Sequence, residues 1–290
     1  MSGAPRSKVL VDSSKQLARL KDLCAGDGVR LEVLEVALTL SLLQHDEPID
    51  LAPFRQHVAQ MSAAVADLVH RRGATPEALA EVIAQSFAYR GDTETYDDLQ
   101  NADIVKVIER RKGLPVALAL LYLQVARDQG WDAEGLNFPG HFLIRVAIDG
   151  ARHVVDPFND GIVRDAAALR ELTRKVLGAN AQPDSSYYDP VADRQVLLRL
   201  ENNIRLRLVQ REDWEGAMKV VERMLAIDPD QSALMYEAGQ INVRLDKRRA
   251  AIAAFERFLM MDDGHSGGAA GADMRGHATA LLQELRRGLN

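Results

Sequence analysis

Asn137-Phe138-Pro139-Gly140-His141-Phe142-Leu143-Ile144-Arg145-Val146-Ala147-Ile148, then Asp149-Gly150, then Ala151-Arg152-His153-Val154-Val155-Asp156-Pro157-Phe158, is the stretch on which the fold turns. Phe142, Ile144, Val146 and Ile148 alternate with His141, Leu143, Arg145 and Ala147, the period of a strand with one buried face. Asp149-Gly150 suits the backbone of a two-residue hairpin turn. With that pair at the tip, Ile148 faces Ala151, Leu143 faces Asp156 and His141 faces Phe158. His141, Leu143, Arg152, Val154 and Asp156 then share one face of the sheet. His141 and Asp156 become diagonal neighbours, about 7 Å between backbones and within side-chain reach. Pro157 ends regular pairing and biases Asp156 towards an extended backbone, which holds its carboxylate at a strand end.

Around this hairpin the chain reads as helix, so the fold class is α+β and predominantly helical. Just before it, Val116 to Arg127 is apolar nearly all round and belongs at the centre of the fold. The turn Gly113-Leu114-Pro115 sets Pro115 in the first turn of that helix, where no backbone donor is needed. From about Ser14 to about Gln100 apolar residues recur at helical spacing, as in Leu31, Leu34, Ala37 and Leu38, and the segment reads as all helix. Its breaks fall at Gly26 to Gly28, Glu47 to Asp50, Gly73 to Pro76 and Gly91 to Thr95. The charged run Glu109 to Lys112 reads as the solvated end of the helix before the Gly-x-Pro turn.

Downstream, the polar stretch from Gly178 to Asp193 separates the hairpin region from a helical tail. Positions 34 apart match there: Ala217 with Ala251, Val221 with Phe255, Met224 with Phe258, Ile227 with Met261 and Asp228 with Asp262. That period is the tetratricopeptide one. Trp214 is expected to fill space between the repeat helices, and Tyr187 and Tyr188 to pin the polar stretch to its domain. Gly264 to Gly271 reads as a flexible loop before a last helix from about Asp273 to Arg287. The expected organisation is a helical region over 1–100, a core over 101–178, a linker over 179–192 and helical repeats over 193–290.

Composition narrows the function. Of 290 residues 47% are apolar, 36 are basic and 42 acidic, giving a formal charge of -6. That balance argues against nucleic acid as a partner. The single cysteine, Cys24, supplies neither a disulfide nor a cysteine-rich metal cage, which suits a reducing cytoplasm. Neither a signal peptide nor a membrane span is read in the sequence, since Glu32 and Glu35 interrupt the best apolar run.

The chain resembles the SirB-type transglutaminase-like family, in which a helical region leads into a papain-like core and a tetratricopeptide tail follows. The stretches that carry the resemblance are Tyr96 to Asn101, Val107 to Pro115, Asn137 to Leu143, Val155 to Phe158 and Gly161. In active members of the wider group a cysteine opens the central helix two residues after a glycine and pairs with the strand histidine and aspartate. By position, the resemblance implies that Gly113 is that glycine, His141 the base and Asp156 the orienting carboxylate. Pro115 stands where the cysteine should be, so the attacking atom of the group's chemistry is missing. Gly113, Asn137, Gly140, Phe142 and Phe158 mark a candidate groove around the remnant.

Two readings of the site follow. In one, a non-catalytic core and a short repeat array present a groove to a protein or peptide partner. In the other, a hydrolase or acyl transferase uses His141 and Asp156 with Cys24 or a nucleophile outside the motif. Cys24 closes a helix far upstream, and a helix C-terminus raises a thiol pKa. A metal site of His141, His153 and Asp156 is disfavoured because the register turns His153 to the opposite face, so neither metal nor cofactor is expected. The plainest alternative is an imidazole–carboxylate bond that merely holds a buried hairpin together.

Overall fold

A computed structural model describes residues 12–26, 30–261 and 269–287. The helical periodicity of the first third becomes α1 (Ser13–Leu23), α2 (Val33–Leu42), α3 (Ala52–Arg72) and the single turn α4 (Glu77–Leu79), which runs into a π-helix over Ala80–Ser86. Then come β1 (Arg90–Gly91), a 3-10 turn at Leu99–Ala102, α5 (Ile104–Arg110), β2 (Lys112–Gly113) and α6 (Pro115–Asp128). The strands β3 (Asp132–Leu136), β4 (Ile144–Ile148), β5 (Ala151–Asp156) and β6 (Ile162–Arg164) are followed by α7 (Ala166–Leu177). A 3-10 turn at Ser185–Tyr188 and β7 (Pro190–Val191) lead to α8 (Asp193–Gln210), α9 (Trp214–Ile227), α10 (Ser232–Arg244), α11 (Arg248–Met260) and α12 (Ala269–Arg287). The protein is α+β and mainly helical. Among the described residues no helix is long and apolar enough to cross a membrane.

Two compact units divide at Leu200 and Glu201. In the first, α6 is the core: Pro115 to Leu123, Val125 and Ala126 are all buried. It packs against α2, α3 and α5 on one side and against β3 and β4 on the other. The antiparallel sheet runs β6-β5-β4-β3-β7, and the hairpin has the register read from sequence, with Ile148 opposite Ala151, Val146 opposite His153 and Ile144 opposite Val155. Pro190 lies on the edge strand β7, where its missing donor costs the ladder nothing inside the sheet. Tyr187 and Tyr188 place their rings 6.0 and 6.3 Å from that of Phe138, so residues 179–192 are fastened to the core by aromatic contact and by β7.

Three expectations need correction. The segment to Gln100 is not all helix: Arg90 and Gly91 pair in parallel with Lys112 and Gly113, because a Cβ on Gly91 would lie 2.6 Å from Phe158 and only glycine lets the backbone approach so closely. Trp214 is half-buried rather than enclosed in the core: the guanidinium carbon of Arg244 on α10 sits 4.4 Å from its ring centre. The last helix begins at Ala269 and not at Asp273, since Ala269, Ala270 and Ala272 favour helix strongly enough to carry Gly271. Of the loop expected over Gly264 to Gly271, residues 264–268 lie outside the described residues, as do Asp262, the break residues Asp27 and Gly28, and the start of the chain.

In the second unit the spacing of 34 has a direct structural meaning. Ala217 and Ala251, Val221 and Phe255, and Met224 and Phe258 are buried at like places on α9 and α11. Each pair of like positions fills the space against a neighbouring helix. Gly239 on α10 lets Phe255 in: a Cβ there would lie 2.5 Å from the ring. Tyr236, Ala251, Phe255, Phe258, Ala278 and Leu282 form one buried cluster, and Arg223 Nε donates to Glu201 Oε2 at 2.7 Å as a buried ion pair.

This packing predicts that Phe255→Ala destabilises the second unit by about 3–5 kcal/mol, and that Gly239→Ala, which overfills the same contact, costs about 1–3 kcal/mol. Denaturant unfolding of the intact chain measures both.

Candidate functional site

β5 delivers Asp156 at the end of its ladder, and the chain turns at once through Pro157, Phe158, Asn159, Asp160 and Gly161 into β6. Asp160 and Gly161 take left-handed backbone with φ 56° and 70°, and Gly161 N donates to Asp156 O at 2.9 Å to close the turn. His141 approaches from just before β4. Its Nε2 donates to Asp156 Oδ1 at 2.8 Å, with the imidazole 10% exposed and the carboxylate fully buried. Nδ1 has no bond to any described residue, so it is the ring atom left for other chemistry.

Asp156 is occupied beyond its histidine. Its Oδ2 accepts from Arg164 Nη2 at 2.7 Å, from Arg164 Nε at 3.1 Å and from Asn159 Nδ2 at 2.8 Å. Burial pushes the Asp156 carboxyl up, and His141, Arg164 and Asn159 together pull it back below its ordinary value. Arg164 shares the carboxylate, so the charge that would stabilise an imidazolium at His141 is already neutralised in part. Neither Arg164 nor Asn159 was among the sequence candidates. Asn159 follows Asp156 by three residues, the spacing of a side-chain-closed turn that sequence can suggest. Arg164 arrives only because β6 folds back opposite Val154.

Phe158 links this pair to the start of α6. Its ring meets His141 edge-on at 6.1 Å and Tyr96 at 6.0 Å, and it lies over Gly91, which pairs with Gly113. From Gly113 the chain passes through extended Leu114 to Pro115 at the first helical position of α6, buried. Leu114 N donates to Asn101 O at 2.9 Å. Asn101 is held in turn by Arg110 Nη1 at 2.9 Å and donates to Thr95 O at 2.6 Å.

The run Glu109 to Lys112 is therefore not just a solvated helix end. Lys106 and Glu109 form an exposed pair, but Arg110 Nη2 reaches the buried Asp92 at 2.8 Å. Burial pushes the Asp92 carboxyl up, while Thr95, the Glu94 amide and Arg110 together hold it well below the carboxylate range.

The other candidate groove residues do not join His141. Asn137 accepts from Arg199 Nη2 at 2.6 Å. Gly140 is held against Val176, where a Cβ would lie 2.5 Å away, and buried Phe142 packs over Gly135. His153 lies opposite Val146, away from the His141 and Asp156 face. Cys24 is buried at the end of α1, its carbonyl accepting from Arg194, and burial pushes its thiol up to about 11. Among the described residues no group of three or more histidine, cysteine or acidic side chains is placed to hold a metal. One further polar atom lies near the pair: the Tyr122 hydroxyl on α6 is buried against Gly161 with no hydrogen-bond partner among the described residues.

Two family models match the chain, one for the transglutaminase-like superfamily over residues 52–202 and one for the tetratricopeptide repeat over residues 204–282. A UPF0162 protein of Xylella fastidiosa is 33% identical over 187 residues, which cover 63% of this chain and 66% of that protein. The chain thus spans just under two thirds of that relative's length. F-box only protein 21 of Mus musculus is 31% identical over 168 residues, 55% of this chain and 26% of the mouse protein. Protein SirB1 of Salmonella typhimurium is 21% identical over 187 residues, 63% of this chain and 69% of that protein.

The geometry predicts that His141→Ala lowers the melting temperature by a few degrees, the loss of one buried hydrogen bond. Asp156→Ala should cost about 3–5 kcal/mol because it strands Arg164. Equal melting temperatures for wild type and both variants would show that the pair carries no structural weight. Because Asp92 and Asp156 have depressed carboxyl values, the stability they contribute is present above the ordinary carboxylate value and is lost as pH falls through their own. Asp92→Asn should accordingly flatten the acid limb of a stability-against-pH curve.

Proposed function

Since the chain belongs to the transglutaminase-like superfamily, in the SirB type with a C-terminal tetratricopeptide region, we propose that it is a protein-interaction module that performs no acyl transfer. The observation that carries this reading is Pro115, buried at the first position of α6 where the resemblance places the attacking cysteine. Proline offers neither a thiol nor a backbone donor there, so the site lacks a nucleophile and one amide at the helix start. The remaining partners are consistent with a structural role, since Asp156 serves Arg164 and Asn159 as well as His141.

Tetratricopeptide arrays generally bind proteins, and that is the role we assign to the second unit, in a regulatory or adaptor setting in the cytoplasm with a protein or peptide as partner. The mouse relative supports a modular use of the core, because the match takes up only 26% of that protein.

Cys24 does not restore the chemistry. A thiol with a pKa near 11 is almost wholly protonated at neutral pH, and the end of α1 offers no helix N-terminus to stabilise a thiolate.

Iodoacetamide labelling of the intact chain tests the proposal. Cys24 should react roughly a hundredfold more slowly than an ordinary free cysteine at neutral pH, and equally slowly in His141→Ala. Fast neutral labelling that disappears in His141→Ala would establish an activated thiol and refute the non-catalytic reading. The immobilised chain should retain its protein partner whether or not His141 is replaced; a partner lost only with His141→Ala would move the working surface to the core.

A further inference from the structure

A second histidine lies at the far end of the contact chain that leads to His141. His57 on α3 is half-buried beside the rings of Phe87, edge-on at 5.3 Å, and Tyr89 at 6.1 Å. Arg111 Nη1 contacts His57 Nε2 and donates to the Tyr89 hydroxyl at 2.5 Å, and its guanidinium carbon sits 4.9 Å from the centre of the Tyr89 ring. Arg111 and Tyr89 are the charged and titratable groups that face His57, one from the end of α5 and one from the segment after the π-helix; Phe87 carries no charge.

The backbone around this cluster is under constraint. Arg111 and Ala88 both take left-handed conformations, φ 59° and 60°, which side-chain-bearing residues rarely adopt. The segment between α4 and Tyr89 is a π-helix, a form concentrated at functional positions. Arg111 O accepts from Arg90 N at 3.0 Å, and Gly113 O accepts from Asp92 N at 3.2 Å. These two bonds join β1 to β2, and β1 supplies Gly91, on which Phe158 rests beside His141.

For Arg111 to donate to His57, the ring must be neutral, because a protonated imidazole has two donors and no acceptor. We propose that His57 is an acid-sensitive latch: protonating its ring removes the acceptor for Arg111, sets two cations side by side, and loosens β1 from β2 where Gly91 meets Phe158. Burial and the neighbouring Arg111 both lower the His57 pKa, so the latch is closed at neutral pH. A histidine depressed in the fold contributes stability that is whole above its ordinary value of about 6.5 and is lost as pH falls below it through the folded value. The device concerns the junction between α3, β1 and β2 and stands whether or not the core is catalytic.

Hydrogen exchange of the intact chain tests it at the Arg90 and Asp92 amides. Corrected for intrinsic rates, their protection should fall severalfold, up to about tenfold, between about pH 7.5 and about pH 5.5 in wild type. In His57→Gln, whose side chain keeps an acceptor and cannot be protonated, protection should hold across the same range. Equal pH dependence in the two proteins overturns the proposal. Should the variant fold poorly, the His57 ring can be titrated by NMR in wild type: a midpoint below the usual histidine value supports the latch, and one at or above it refutes the proposal.

Discussion

The enclosure of α6 constrains everything else in the first unit. Pro115 to Leu123 are buried and, but for the Tyr122 hydroxyl, apolar, so α2, α3 and α5 cover one flank and the β3–β4 pair the other. A helix walled in on all sides also fixes where its first turn points. Leu114, bonded to Asn101, brings the chain into α6 alongside the β1–β2 pair, and this fixes Pro115 at its place. Arg110 serves the same purpose from the preceding helix by tying Asn101 to Asp92. The network of Asp92, Asn101 and Arg110 is thus the polar counterpart of the buried, largely apolar helix.

The electrostatics of His141 and Asp156 follow from the same economy of buried groups. A fully buried carboxylate needs several donors, and here it has a ring nitrogen, a guanidinium and an amide. The carboxylate divides its charge between the His141 imidazole and the Arg164 guanidinium. Asp156 also helps to hold the turn into β6, where Asn159 Nδ2 donates to its carboxylate and Gly161 N to its carbonyl.

What the sequence disclosed was whatever depends on local pattern. The alternation of Ile144, Val146 and Ile148 and the Asp149-Gly150 tip were enough for the hairpin register, and the apolar run after Pro115 for the central helix. The spacing of 34 between Ala217 and Ala251 likewise located two helices with like buried faces. Features made by distant pairing were hidden. β3, Asp132-Ala133-Glu134-Gly135-Leu136, contains no β-branched or aromatic residue and is a strand only because β4 and β7 flank it. The pairing of Gly91 with Gly113 leaves no periodic trace over two residues, and Arg164 meets Asp156 only through the fold of β6. His141, Asp156 and Phe158 come together as their sequence positions suggest, whereas Asn137, Gly140 and Phe142 meet Arg199, Val176 and Gly135, partners that no local pattern announces.

The place of β7 bears on how the chain is made. β3 gains its first neighbour, β4, soon after it is synthesised, but its other edge is covered only when Pro190 and Val191 emerge, after β5, β6, α7 and the Ser185–Tyr188 turn. At a synthesis rate of about 5–20 residues per second, that edge stays open on the ribosome for seconds. During this interval the nascent sheet presents unpaired backbone groups to any extended segment nearby. In the mature fold the short edge strand, with its proline, pairs with Gly135 and Leu136 and shortens the open edge of β3.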